Sequence, residues 1–251
     1  TDEDWQFMMA GYRSGVITEE RLHDALRRIL GAKATLGLHR VEKAAILPPK
    51  ESLRVVGCPE HQEVAEAAAR ECITLVKNTR DQLPIRPETH RRVRLYYLSS
   101  GSSFVAARFA QKDHSVRDII IEELRAAGFE VDLFDTDKPM MGSESRSEYL
   151  AKYDAALVLS NVAGYATQNV YRITWDMPAQ VPWYAAELPT VFISLNHTTH
   201  LYDVPMVRTF INAYAPTRTV VRAAILKMMG DEPFTGAYEE SVFCDRWDTR
   251  L

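Results

Sequence analysis

The residues best equipped for chemistry crowd into one stretch: Tyr165, Asn169, Tyr171, Arg172 and Trp175. Aromatic rings stack on the C–H faces of sugars, and amide and guanidinium groups hydrogen-bond their hydroxyls, so this mix suits a carbohydrate. It also builds ordinary contacts between domains, and both readings stand. His197, His200 and Asp203 carry the side-chain types that ligate zinc. Their Thr-rich setting after a strand, and the lack of an H-E-x-x-H helix, point instead to a loop, where His197 and His200 read first as satisfied loop histidines, with His197 a candidate substrate or interdomain contact. Ser99-Ser100-Gly101-Ser102-Ser103 presents hydroxyls and amides after an apolar run, with Ser102 the candidate contact. It has neither the G-x-G-x-x-G pattern nor the lysine of a phosphate loop, so it reads first as a tight strand-to-helix turn. No metal or organic cofactor is expected.

Paired carboxylates are the other side chains that could do acid–base work. A glycosidase needs two of them, about 5–5.5 Å apart for retention or about 6.5–9.5 Å for inversion. Glu122 and Glu123 fall in mid-helix and read as a solvated face; Asp132, Asp135 and Asp137 gather at a strand end and read as a turn; Glu239 and Glu240 form a third pair. No nucleophile stands beside a base, and no G-x-S-x-G elbow or Cys–His arrangement is present.

The elements that must position these groups follow from periodicity. Trp5, Met8, Met9 and Tyr12 share one helical face, ended by Gly15. Thr18 is a plausible cap for a helix whose stripe is Leu22, Leu26, Ile29 and Leu30 and whose stop is Gly37. Residues 38–60 lose periodicity and contain Pro48-Pro49, a linker signature. Residues 60–71 read as a helix with Val64, Ala65, Ala68 and Ala69 inward, and Cys72–Lys77 as a short strand in which Cys72 is a buried small hydrophobe. Further strands are expected at Val93–Ser99, Phe129–Phe134, Ala155–Ser160, Thr190–Leu195 and Thr209–Ala213. Helices alternate with them at Val116–Ala127, Ser145–Lys152 and Thr217–Met229, with a Pro-interrupted one in Trp175–Leu188. Near-continuous apolar strands alternating with helices signal an α/β fold: a three-layer αβα sandwich around a mostly parallel sheet of about five or six strands, preceded by N-terminal helices. In such sheets ligands meet the loops beyond the strands' carboxyl ends. Those loops are 99–104, 135–139, 160–172 and 195–203.

Composition is that of a globular protein, 46% hydrophobic and 25% charged. A net charge of −4 offers no basic footprint for nucleic acid and no polybasic membrane patch, and no apolar run of 18 residues occurs. Three cysteines without a C-x-x-C pair give no disulfide framework. The start, Thr1-Asp2-Glu3-Asp4-Trp5, reads as the middle of a longer protein, so no compartment follows from it.

Several blocks, in this order, resemble glycoside hydrolase family 3. They are Arg28-Ile29-Leu30-Gly31-Ala32-Lys33 with Leu36-Gly37-Leu38, then Ala68-Ala69-Arg70-Glu71-Cys72-Ile73-Thr74-Leu75-Val76-Lys77-Asn78 and Leu83-Pro84-Ile85. The stretch 190–214, ending Asn212-Ala213-Tyr214, and the tail 225–236, with its glycine-ended helix, continue the match. The resemblance implies that residues 1–37 are the terminal helices of a (β/α)₈ barrel, 38–60 a linker and 61–251 an α/β sandwich domain. It implies a retaining β-glycosidase whose nucleophilic Asp sits on the barrel. Many β-glucosidases of the family carry an acid/base Glu on the sandwich, near a Tyr-Ala-Glu pattern. Here Gly164-Tyr165-Ala166-Thr167-Gln168 has Thr or Gln at that place, and neither can protonate a leaving group. The departure points to the family's β-N-acetylhexosaminidase branch, in which a His paired with an Asp on a barrel loop does the acid–base work. No catalytic residue is then expected in this chain, and Tyr165, Asn169, Arg172, Ser102 and His197 are expected substrate contacts. The implied partners are the barrel domain and a carbohydrate. Two other classes stay open: an independent carbohydrate-binding or scaffold module, and a doubly wound domain binding a nucleotide or other small molecule.

Overall fold

The computed structural model describes residues 1–42, 47–99, 115–134, 144–164, 172–175 and 178–239. It divides into two compact units, Thr1–Cys58 and Pro59–Leu251.

The first unit holds helix α1 (Asp2–Arg13), helix α2 (Glu19–Thr35) and a 3₁₀ segment, Lys50–Val55. Thr1 and Asp4 form a capping box at the start of α1, and the Thr18 hydroxyl accepts from Arg21 N at 3.2 Å to start α2. Acidic residues fill both first turns, where they meet the positive end of the helix dipole. Neither helix buries a residue: Trp5 is 67% exposed and Leu30 57%. The stripe predicted on α2 exists, but nothing described covers it.

The second unit is the α/β sandwich expected. Helix α3 (Pro59–Cys72) leads into β1 (Thr74–Asn78), and β2 (Arg92–Ser99) is followed by α4 (Ser115–Ala126) and β3 (Glu130–Leu133). Helix α5 (Arg146–Lys152), β4 (Ala155–Asn161), β5 (Thr190–Ser194), β6 (Thr209–Asn212) and α6 (Arg218–Met229) complete it. The six strands make one sheet in the order β1-β6-β5-β4-β2-β3, all parallel except β1, which runs antiparallel to β6. The five residues of β5, Thr-Val-Phe-Ile-Ser, are all buried, because both faces of the sheet are covered. On one face Leu95, Leu157 and Ile193 pack under Ile120 and Leu124 of α4 and Val221 and Met228 of α6. On the other, Tyr96, Phe192 and Phe210 pack under Tyr149, Tyr184 and Leu201. There Tyr96 and Tyr184 stack with centroids 4.4 Å apart and 7° between planes. Helix α6 ends on Gly230 in the left-handed region (φ 76°), and Asp231 N reaches back to Leu226 O at 3.0 Å, the closure that glycine permits. No helix among the described residues is long and apolar enough to cross a membrane.

Three local expectations need correction. In α3 only Ala69 is buried, and Val64 is 70% exposed, so the helix touches the core through its last turn rather than along a full face. Cys72 is exposed, because it ends α3 one residue before the chain turns inward at Ile73. The Pro-interrupted helix is two 3₁₀ turns, Pro178–Gln180 and Trp183–Ala186, since Pro182 lacks the N–H that a continuous helix would use.

Candidate functional site

The strand order fixes where a ligand could sit. From β2 the chain passes to β3 on one side, and from β4 it passes to β5 on the other. Connections therefore diverge between β2 and β4, and in open sheets of this kind such a divergence is where a ligand crevice forms beyond the carboxyl ends. Ser99 and Asn161 lie opposite each other at its base.

A polar network of amides and a phenol crosses this crevice. Asn161 Nδ2 donates to Tyr97 Oη at 3.0 Å, and Asn196 Nδ2 donates to Asn161 Oδ1 at 2.6 Å. The three come from the ends of β2, β4 and β5, and all are half-buried. These residues escaped the sequence reading, although a signal was there: both apolar runs end in a Ser followed closely by Asn, at Ser160-Asn161 and Ser194-Leu195-Asn196.

Beside it the 195–203 loop is pinned from below. Ser194 Oγ donates to His197 O at 2.7 Å and lies 2.9 Å from His200 Nδ1. Since the Ser194 proton points to the carbonyl, the network assigns the proton of the second bond to His200 Nδ1. His200 is fully buried, and the His197 and His200 rings are 5.6 Å apart. On the strands flanking Ser194, Ser160 and Asn212 occupy the same register row, and Ser160 Oγ and Asn212 Oδ1 are buried with no hydrogen-bond partner among the described residues. The Asp203 carboxylate pairs with the Arg172 guanidinium and accepts from Ile173 N at 3.0 Å, tying the 172–175 segment to the loop. Asp203 is thus occupied, and no group of three metal-type ligands occurs among the described residues.

Of the predicted contacts, the structure brings His197 and Arg172 to this end of the sheet; Arg172 is exposed but ion-paired. Tyr165, Asn169 and Ser102 lie outside the described residues, as do Asp135 and Asp137 of the acidic turn.

Of the acidic residues singled out in the sequence, Asp132 and Glu123 are structural. Asp132 sits on edge strand β3, away from the crevice, and accepts from Arg94 at 2.7 Å, from Lys152 at 3.0 Å and from Tyr153. Burial works to raise its pKa, but those hydrogen bonds and the cations hold it below the usual carboxylate range. Glu123 is not a solvated face: its side chain is 8% exposed and takes bonds of 2.8 Å from both Arg222 and Arg218 of α6. The Arg222 bond, against burial and helped by Arg218, keeps it ionised. Neither group suits a general acid at neutral pH.

No protein-family model matches the chain. The chain is 38% identical over 255 residues to a β-N-acetylglucosaminidase/β-glucosidase from Cellulomonas fimi, and the match takes in all of this chain but 44% of that protein. The chain therefore spans under half the length of the curated relative it matches. Among solved structures, a β-glucoside phosphorylase, BglX, superposes with a TM-score of 0.81 at 30% identity, covering 99% of this chain and 43% of that one. A glycoside hydrolase family 3 β-N-acetylglucosaminidase from Paenibacillus sp. str. FPU-7 superposes with a TM-score of 0.60 at 20% identity, over 91% of this chain and 40% of its own, a likeness of fold.

Proposed function

We propose, for a chain that belongs to glycoside hydrolase family 3 and matches the C-terminal part of its relative there, that it walls a β-glycoside-cleaving site whose reacting carboxylates lie on another domain. The observation that carries this reading is the Tyr97–Asn161–Asn196 network in the switch crevice. It offers neutral donors and acceptors and no carboxylate, which suits holding hydroxyls or an acetamido group and not breaking a bond. The Asp203–Arg172 pair and the Ser194–His200 contact hold the neighbouring loop rigid, as positioning of a substrate requires.

On this reading residues 1–37 are the closing helices of a (β/α)₈ barrel, 38–60 a linker and 61–251 the sandwich. The exposed apolar stripes of α1 and α2 pack on the rest of that barrel. The substrate is a β-N-acetylglucosaminide or β-glucoside, following the relative's name. Tyr165, Asn169 and Ser102 remain proposed wall contacts together with His197 and Arg172.

A second reading concerns the acceptor. The neighbour at 30% identity and TM-score 0.81 is a β-glucoside phosphorylase, so phosphate rather than water is a specific alternative for releasing the sugar.

The test is turnover of 4-nitrophenyl β-N-acetylglucosaminide and β-glucoside by the full-length gene product, with and without phosphate. Nitrophenol release is expected, with free sugar marking hydrolysis and sugar 1-phosphate marking phosphorolysis. The 251-residue chain alone is expected to be inert. Turnover by the chain alone, abolished by a substitution within it, overturns the reading.

A further inference from the structure

Backbone strain and an open cleft coincide at one place outside the switch crevice. Tyr214, two residues past β6, has φ 68°, a left-handed conformation uncommon for an aromatic residue. Its hydroxyl donates to Thr74 Oγ1 at 2.9 Å, and Thr74 Oγ1 donates to Cys72 O at 2.7 Å. Thr74 opens β1, which is antiparallel to β6 and pairs Thr74 with Asn212, so this contact also lies at the carboxyl end of the parallel strands. Strain of this kind persists where the surroundings over-determine it, and it is a reason to ask what the residue does.

Tyr214 lines a cleft of about 900 Å³ with Glu71, Cys72, Thr235 and the small residues Ala68, Gly236 and Ala237. The wall formed by 235–237 is pressed close. A Cβ on Gly236 would stand 2.5 Å from Thr74 Oγ1, 2.6 Å from Cys72 O and 2.8 Å from Ile73 O. Thr235 Oγ1 adds a bond of 3.4 Å to Glu71 O. The cleft therefore combines a ring held by its own hydroxyl, an exposed carboxylate and a floor of small side chains. Among the described residues no basic side chain lines it, which disfavours an anionic ligand. A ring face for C–H groups beside a carboxylate that accepts from neighbouring hydroxyls is the chemistry of neutral sugar recognition. The hollow is shallow and open to solvent, so a ligand would lie on it rather than be enclosed.

We infer that the Tyr214–Glu71 cleft is an accessory saccharide-binding subsite, separate from the crevice between β2 and β4. It rests on the reading of the protein as one that acts on sugars. On this inference Tyr214 supplies the stacking platform and Glu71 accepts from two hydroxyls.

The test is titration of the ¹⁵N-labelled 251-residue chain with cellobiose and with N,N′-diacetylchitobiose. Saturable shifts are expected at Glu71, Tyr214 and Gly236 with at least one of the two. Glu71→Gln is expected to weaken binding about tenfold or more with an unchanged circular dichroism spectrum, about 1.4 kcal/mol or more. Tyr214→Phe, which keeps the ring, is expected to stay within about threefold of the parent, under about 0.7 kcal/mol. No shift at these residues with either sugar, or shifts indifferent to Glu71→Gln, overturns the subsite. Aryl-glycoside turnover by the full-length product without those shifts sinks the subsite alone. Binding in the cleft without turnover sinks the catalytic reading and leaves the subsite standing.

Discussion

Ser194 Oγ and His200 Nδ1 meet at 2.9 Å in a part of the core that admits no solvent. The bond joins the last residue of β5 to the 3₁₀ turn His200–Asp203, and between them hang Asn196 and His197. A strand end and a turn are thereby made one rigid piece, with the candidate contacts on its rim.

Removing this link has a predictable cost. Ser194→Ala removes two hydrogen bonds from a buried site, a loss of about 1–3 kcal/mol. Ser160→Ala, one strand away in the same row, removes an oxygen that has no partner among the described residues and is expected to be neutral within about 0.5 kcal/mol or slightly stabilising. Urea melts of the two variants check this; equal destabilisation would show that the contacts are not what separates them.

The crevice network makes a kinetic prediction. Asn161→Ala breaks both amide bonds, to Tyr97 and from Asn196, at a half-buried position. In the full-length product it is expected to lower kcat/KM for aryl β-glycosides about tenfold, near 1.4 kcal/mol of transition-state binding. Unchanged kcat/KM would remove the network from the site.

Glu123 predicts a pH dependence. Its pKa in the folded chain lies below the ordinary glutamate value, through the Arg222 bond first. A depressed carboxyl pKa contributes stability that is complete above the unfolded value, about 4.3, and is lost as pH falls through the folded value. Glu123→Gln should therefore be weaker than the parent by about 1.5–3 kcal/mol at pH 7, and the gap should narrow steadily as pH falls below about 4.3. A gap independent of pH, measured by urea melts at several pH values, contradicts the assignment.

Gly236→Ala tests the cleft wall. The new methyl would meet two backbone carbonyls within 2.8 Å, and backbone cannot swing aside as a flexible side chain can. A loss of about 1–3 kcal/mol is expected, read as a lower urea midpoint at unchanged slope. Tolerance of the alanine would mean that the 233–239 tail lies off β1 in solution.

What the sequence disclosed and what it hid divide along physical lines. The strands were legible because burial on both faces demands unbroken apolar runs such as Ala155-Ala156-Leu157-Val158-Leu159. The cap at Thr18 and the stop at Gly230 were legible because capping chemistry is local. Glu123 was misread because its partners, Arg218 and Arg222, are about 95 residues away along the chain, and pattern alone does not show which helices meet. The Tyr97–Asn161–Asn196 network was missed for the same reason: it exists only once three strand ends are brought side by side. Of the five proposed contacts, only Arg172 and His197 fall among described residues, and Arg172 turned out to be neutralised by Asp203.

The reversal of strand order between β2 and β4 has a consequence for variation. The strand that follows β2 in the chain lies on one side of this pair, and the strand that follows β4 lies on the other. The connection to each can lengthen, shorten or change composition independently of the other, while the packed layers beneath stay as they are. Relatives built on this frame are free to alter which ligand they accept by editing one rim at a time, and comparing rim lengths across them is the place to look for differences in selectivity.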